Sequence, residues 1–455
     1  MTTARPIAFS SCAFLLLVAA EGIADDWFHT DDLARGLCQI TEQEYGLLQS
    51  TDLIDLRPVV LPRPEYVVSG NDYFDWPIAT QIDDTILVLF DRRHYHWGGN
   101  SKKEPRADEN SGIRMITTSL DGGRTWSAPL DVLAQAGRWP RSLFGGWGGG
   151  LGVHDGVVYL AVNEGVYCSA DKGRTWALVV PEPDVSRMPE EVRPVKDLAA
   201  SESNYSDKNR SGAIQTIAPF WSPGMRITFD AAHGLTVWTT RGFKPVGRDG
   251  KTNSDYGKYL CALYSPDFGT TWHLEEQKLP DGLYINEITP LQFDGRMAFF
   301  FRNGIRGACY GQGYSATGWF PFQFAVTEVG PVDITDTPDL IFNPTTGRLE
   351  AAATFRHHTP GKPMELRLYS IAPDALAAGS SDWRFDGVLV RYRERFGTCD
   401  GMNPVGGIVD EKTGTHRIYI WAGDAKNQAG IFECRRTLET GKLGEYLEAA
   451  RGAGE

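Results

Sequence analysis

Past its first residues the chain has no apolar stretch long enough to cross a bilayer, no C-x-x-C pair and no long tract of Ala, Glu, Lys and Leu. The first absence excludes an ordinary membrane-spanning helix in the body of the protein. The second removes the spacing that a zinc site needs, so neither a metal nor a cofactor is expected. The third argues against a long-helix or coiled-coil architecture. Basic residues are also in deficit: 45 Lys and Arg against 58 Asp and Glu leave a net charge of −13. Phosphate binding needs a concentrated basic surface, so a nucleic-acid partner is not expected. An anionic sugar is not excluded, because a local Arg cluster can override a global negative charge.

What is present points to an all-β protein. The 455 residues include 50 Gly, 26 Pro, 13 Trp, 17 Tyr and 22 Phe. Arg5 precedes an apolar run from Ile7 to Ala20, with small-residue steps at Val18-Ala-Ala20 and Gly22-Ile-Ala24. This reads as an export signal over 1–24, leaving a mature chain of 25–455 that is secreted or periplasmic, free of the membrane and monomeric. The cysteines that remain after cleavage (Cys38, Cys168, Cys261, Cys309, Cys399 and Cys434) are scattered. Disulfides and buried free thiols are both open to them.

One pattern recurs three times: Ser119-Leu-Asp121-Gly-Gly123-Arg-Thr-Trp126, Ser169-Ala-Asp171-Lys-Gly173-Arg-Thr-Trp176 and Ser265-Pro-Asp267-Phe-Gly269-Thr-Thr-Trp272. The Asp residues lie 50 and then 96 positions apart, one and two periods of about 48, the spacing of propeller blades. Chemically the motif is a hairpin turn. Asp accepts backbone N–H bonds from the residues just ahead, Gly supplies positive φ, and Trp opens the next strand with a large apolar surface.

Counting outward from these turns predicts six blades of four antiparallel strands, a single β-propeller domain. The first has strands within Ile78–Phe90 and Gly112–Thr118, the second within Gly152–Ser169, the third at Arg226–Asp230, Leu235–Arg241 and Tyr259–Ser265. The fourth runs through Glu287–Gln292 and Arg296–Arg302 to a decayed turn at Ser315-Ala-Thr317-Gly318. The fifth has Asp339–Asn343, Arg348–Arg356 and Glu365–Ser370, followed by a lengthened connection through Pro373–Asp382. The sixth has Pro404–Asp410, Thr415–Trp421 and Gly430–Arg435. An N-terminal strand is expected to complete the last sheet. The polar stretch 181–213 reads as an insertion.

The repeated motif resembles the Asp box of the sialidase (neuraminidase) superfamily. The resemblance implies a six-bladed propeller, with the boxes on the rim away from the active site, and an active site that grips a substrate carboxylate with an Arg triad. A Tyr nucleophile, a Glu partner and an Asp acid complete that site. Glu287 and Arg302 match the partner Glu and the second triad Arg, joined by a turn at Asp294-Gly295. Elsewhere the chain departs from the pattern. Asp75-Trp76-Pro77 stands where the first triad Arg belongs, and Cys399-Asp400-Gly401-Met402-Asn403-Pro404 where the Tyr belongs.

The candidate catalytic residues are therefore Glu287 with His94 and His96 of the loop Arg93-His94-Tyr-His96-Trp97, since His transfers protons readily near neutral pH. Arg302, Arg93, Arg356, Asp75 and Trp97 are the candidate substrate contacts, Arg because its planar fork grips a carboxylate with two bonds. His357, His358 and Lys362 flank the place of the third Arg, and Tyr310 could reach the site from blade four. The expected activity is exo-acting hydrolysis of an acidic oligo- or polysaccharide. The open alternatives are a lyase that eliminates across a uronic acid and a non-catalytic sugar-binding propeller.

Overall fold

The Ser-x-Asp-x-Gly turns build the frame. In the first, the backbone amides of Arg124 and Thr125 donate to Asp121 Oδ1 at 3.0 and 2.9 Å, and the Thr125 hydroxyl donates to Oδ2 at 2.7 Å. The Ser119 hydroxyl donates to the same carboxylate and accepts from Gly123 N at 2.8 Å. Asp171 and Asp267 repeat the arrangement with Thr175 and Thr271. Gly123, Gly173 and Gly269 take φ of 82°, 84° and 122°, a left-handed region closed to most side chains.

These turns join the third and fourth strands of blades in a computed structural model that describes 48–50, 54–60, 73–93, 113–132, 150–162, 165–179, 225–240, 257–303, 309–329, 334–356, 364–392, 404, 407–424 and 428–438. The chain forms six small, four-stranded antiparallel sheets around a channel, as the repeat spacing predicts. Blade one is Tyr73–Ile82, Thr85–Arg93, Ile113–Ser119 and Leu130–Asp131. Blade two is Gly150–His154, Val157–Val162, Gly165–Ser169 and Ala177–Leu178. Blade three is Ile227–Asp230, Gly234–Thr240, Tyr259–Ser265 and His273–Lys278. Blade four is Ile285–Phe293, Arg296–Asn303, Cys309–Ser315 and Gln323–Val326. Blade five is Asp339–Asn343, Arg348–Arg356, Met364–Ile371 and Arg384–Tyr392. Its lengthened connection holds the short helix Pro373–Ala377.

Blade six closes the ring. Its strands Ile408–Asp410, Thr415–Asp424 and Gln428–Thr437 are completed by Asp55–Val60, which pairs antiparallel with the last of them. A further N-terminal strand, Leu48–Ser50, lies along the outer edge of blade five. Both edges would otherwise expose unpaired backbone groups.

Aromatic wedges hold neighbouring blades together. Trp176 packs with Leu87, Leu89 and Ile116 of blade one, and Trp272 with Ala161 and Val166 of blade two. Trp126 meets Tyr419 of blade six edge-on at 6.4 Å. In blade four the decayed turn keeps the wedge as Phe322, which packs against Trp238 of blade three. Trp383 of blade five likewise meets Phe300 of blade four at 4.9 Å.

Two local expectations change. The predicted run Ile78–Phe90 is two strands, extended outward to Tyr73 and Arg93. The register slips between Asp75 and Ile78, where Trp76 takes φ 45° and Pro77 has no amide to donate. The sixth blade's inner strand is only Ile408–Asp410, with Pro404 ahead of it. Cys168, Cys261, Cys309 and Cys434 form no disulfides. Residues 1–24, Cys38, Cys399 and the stretch 181–213 lie outside the described residues.

Candidate functional site

All six inner strands run in one direction along the channel. Their heads therefore share one end, while the first-to-second and third-to-fourth turns, including the three repeated ones, share the other. The first is the loop end, where successive blades are joined. Glu287 is the third residue of the inner strand of blade four, and Arg302 is the penultimate residue of the strand beside it. A register shift between Ile285 and Ile288 surrounds Glu287. Arg302 donates from a terminal guanidinium nitrogen to Glu287 Oε2 at 3.2 Å, with the Glu side chain 4% and the Arg side chain 14% exposed. The two residues singled out on blade four thus meet at the loop end.

Asp75 occupies the matching place on blade one. It is fully buried and stands opposite Asp91 across the first two strands, and Asp91 is buried too. Arg93 and Arg356 close the second strands of blades one and five. Their backbones reach the loop end, and their side chains fall outside the described residues. His94, His96, Trp97, His357, His358, Lys362 and residues 399–403 also lie outside them.

Tyr310 stands directly opposite Arg302 across the second and third strands of blade four. It is buried between blades four and five, where its hydroxyl donates to Thr354 O at 3.0 Å and accepts from Asp336 N at 3.2 Å. Its ring stacks on Phe300 at 5.1 Å.

Sequence reasoning missed Arg226. It directly precedes the inner strand of blade three and reaches across the channel: one terminal nitrogen donates to Asp339 Oδ1 at 2.7 Å and Gly407 O at 3.0 Å, the other to Leu340 O. Gly407 N donates back to Asp339 Oδ2 at 2.9 Å. A web of charges follows behind Asp339. His416 lies 3.8 Å from Asp339, accepts from Arg436 Nε at 3.0 Å, and Arg436 also pairs with Glu350. Burial, reinforced by Arg436, lowers the His416 imidazole to about 4, so it is neutral at physiological pH. Burial would raise Asp339, but Arg226 and His416 outweigh it and hold its carboxyl below the usual range. A cation at the head of an inner strand was the only sequence signal for Arg226. Its partners are 113 and 181 residues away.

Among the described residues no group of three His, Cys, Asp or Glu is placed to hold a metal ion. What the loop end offers is a buried carboxylate–guanidinium pair, two buried carboxylates on the blade across the ring, and an arginine bridge beneath them. Such a set can bind a polar ligand through charge-assisted hydrogen bonds and exchange protons with it.

The class defined by this architecture is the six-bladed β-propeller. No protein-family profile matches the chain, and no curated protein matches it. Among solved structures it is similar to a protein of unknown function from Dyadobacter fermentans, 14% identical with a TM-score of 0.54, covering 86% of this chain and 99% of that one. Trypanosoma rangeli sialidase gives 12% identity and a TM-score of 0.48 over 84% of this chain and 57% of that one. An α-L-arabinofuranosidase from Clostridium thermocellum gives 12% and 0.39, over 70% and 93%. Only the first superposes well enough to speak for the fold, and it speaks for the fold alone.

Proposed function

We propose that the loop end of the channel is a glycan site and that the protein is a carbohydrate-active hydrolase acting on a carboxylate-bearing sugar. The observation that carries this reading is the Glu287–Arg302 pair, buried at the channel end where the inner strands begin. In this reading Arg302 shifts part of its fork from Glu287 to the substrate carboxylate, where two parallel bonds fix the sugar's orientation. Glu287 then faces the reacting centre as acceptor. Cleaving a glycosidic bond takes one group to protonate the leaving oxygen and another to activate the attacking nucleophile. Asp75 or Asp91 on blade one supplies the second carboxylate, with His94 and His96 as further proton carriers. The departures at the first triad Arg and at the nucleophile Tyr favour a substrate other than sialic acid. The export segment 1–24 suits an extracellular glycan.

The test is a near-UV absorbance assay on sialylated and uronic-acid glycans, with released sugars identified by mass. Sugar released without absorbance supports hydrolysis. Rising absorbance, with products one water lighter, would make the protein a lyase and move the proton-abstracting role to His94 or His96. Silence across the panel would leave a binding propeller.

A further inference from the structure

The channel has a second mouth, which the reading above does not use. On the turn side of the Arg226 bridge lies a cavity of about 710 Å³, bounded by the inner strands and first turns of blades two to six. Its size is that of a small-molecule site. Two aromatic walls face into it. On one, His154 stacks on Phe229 at 5.0 Å, with Phe268 packed beside both rings at 4.8 and 6.4 Å. On the other, Phe342 stacks on Phe293 at 5.6 Å. Phe229, Phe342 and His154 all keep partial exposure.

Carboxylate and amide side chains stand at this mouth. Gln292 and Glu411 are exposed and line the cavity. Asp294, at the turn of blade four, leans on Arg296 at 3.7 Å. Among the described residues that line the cavity the one cation is Arg226, whose terminal nitrogens are committed to Asp339, Leu340 O and Gly407 O. Nothing here is built to hold an anion. Aromatic faces suit the C–H faces of a sugar ring, and carboxylate and amide oxygens accept from its hydroxyls.

We propose that the turn-side cavity binds a neutral sugar, as a second carbohydrate site separated from the loop end by the Arg226 bridge. An organic ammonium would also find aromatic faces and carboxylates, but it would lie over the Arg226 guanidinium. On a polymeric substrate, two sites on one rigid propeller raise the effective concentration of the chain at each.

Calorimetric titration with lactose, maltose and xylobiose tests this on the full chain, with choline as the cationic control. Wild type and Arg302→Ala are expected to bind at least one disaccharide saturably and alike, because Arg302 is at the other end. Phe342→Ala should weaken that binding ~10-fold, the worth of one aromatic contact. Glu411→Gln, an exposed change that leaves packing alone, should weaken it several-fold. Failure of all three sugars to bind, loss of binding in Arg302→Ala, indifference to Glu411→Gln in folded protein, or preference for choline would each overturn the proposal. The loop-end reading is judged separately, by turnover.

Discussion

At the residue scale, two titratable groups do different work. Asp121 is a turn-maker. Burial alone would raise its carboxyl, yet bonds from Thr125, Ser119 and the Arg124 amide outweigh this and hold it at about 2. A folded-state value below the unfolded one contributes stability above the unfolded pKa, and that contribution is lost as pH falls through the folded value. The first turn should therefore weaken between about pH 4 and pH 2, the Asp171 and Asp267 carboxyls, also held below the usual range by their turn bonds, should weaken theirs in the same direction, and Asp121→Ala should flatten the acid limb of a urea-unfolding profile. His416 has the same sign in a different window. The unfolded imidazole takes up a proton near 6.5 and the folded one only near 4, so stability falls as pH drops between them. His416→Gln should lose that dependence between pH 6.5 and 4, read by denaturant midpoints across the range. Of these residues only the turn Asp was legible in the sequence, because its partners lie within four positions. His416 depends on Asp339, Arg436 and Arg226, brought together from three blades.

At the element scale, ring closure concentrates risk in blade six. Glu433 is fully buried and pairs with Arg417 at 2.7 Å and Arg435 at 2.8 Å, and it accepts from Tyr419 at 3.0 Å. Both arginines also donate to Gly122 O in the first repeated turn, which ties blade one to blade six. Removing one partner of a buried pair typically costs about 3–5 kcal/mol, so Glu433→Ala should lower unfolding free energy by roughly that amount. Turnover per folded molecule should be unchanged, since the cluster sits on the turn side. The strand Asp55–Val60 is the second closure point. The sequence made its existence legible, because six blades left the last sheet one strand short. Its register against Asp55↔Arg435 and Leu56↔Cys434 was not, since nothing local fixes a pairing across most of the chain.

At the scale of the whole molecule, the channel is divided. Heads of inner strands carry Glu287 and Asp75, and the ends of the second strands beside them carry Arg302 and Asp91, to one end, and Arg226 bridges the interior beneath them. Aromatic walls line the other mouth. The blade count could be read from three turns and their spacing, and so could the meeting of Glu287 with Arg302, because a hairpin returns the second strand to the head of the first. The bridge and the cavity arise only when blades three, five and six face one another, and no local pattern encodes that. Changes at the loop end should abolish chemistry and spare disaccharide binding at the turn side, and changes at the turn side should weaken that binding and spare turnover of a glycan too short to reach both sites.

The central claim is that the Glu287–Arg302 end is where a carboxylate-bearing glycan is turned over. Its most direct test is the rate of sugar release by wild type and by Arg302→Ala, each normalised to folded protein by its unfolding transition. Release per folded molecule should fall ~100-fold or more in the variant, the order expected when charge-assisted positioning is removed, over and above any stability lost when the buried Glu287 loses this partner. Undiminished release by a well-folded Arg302→Ala protein would contradict it.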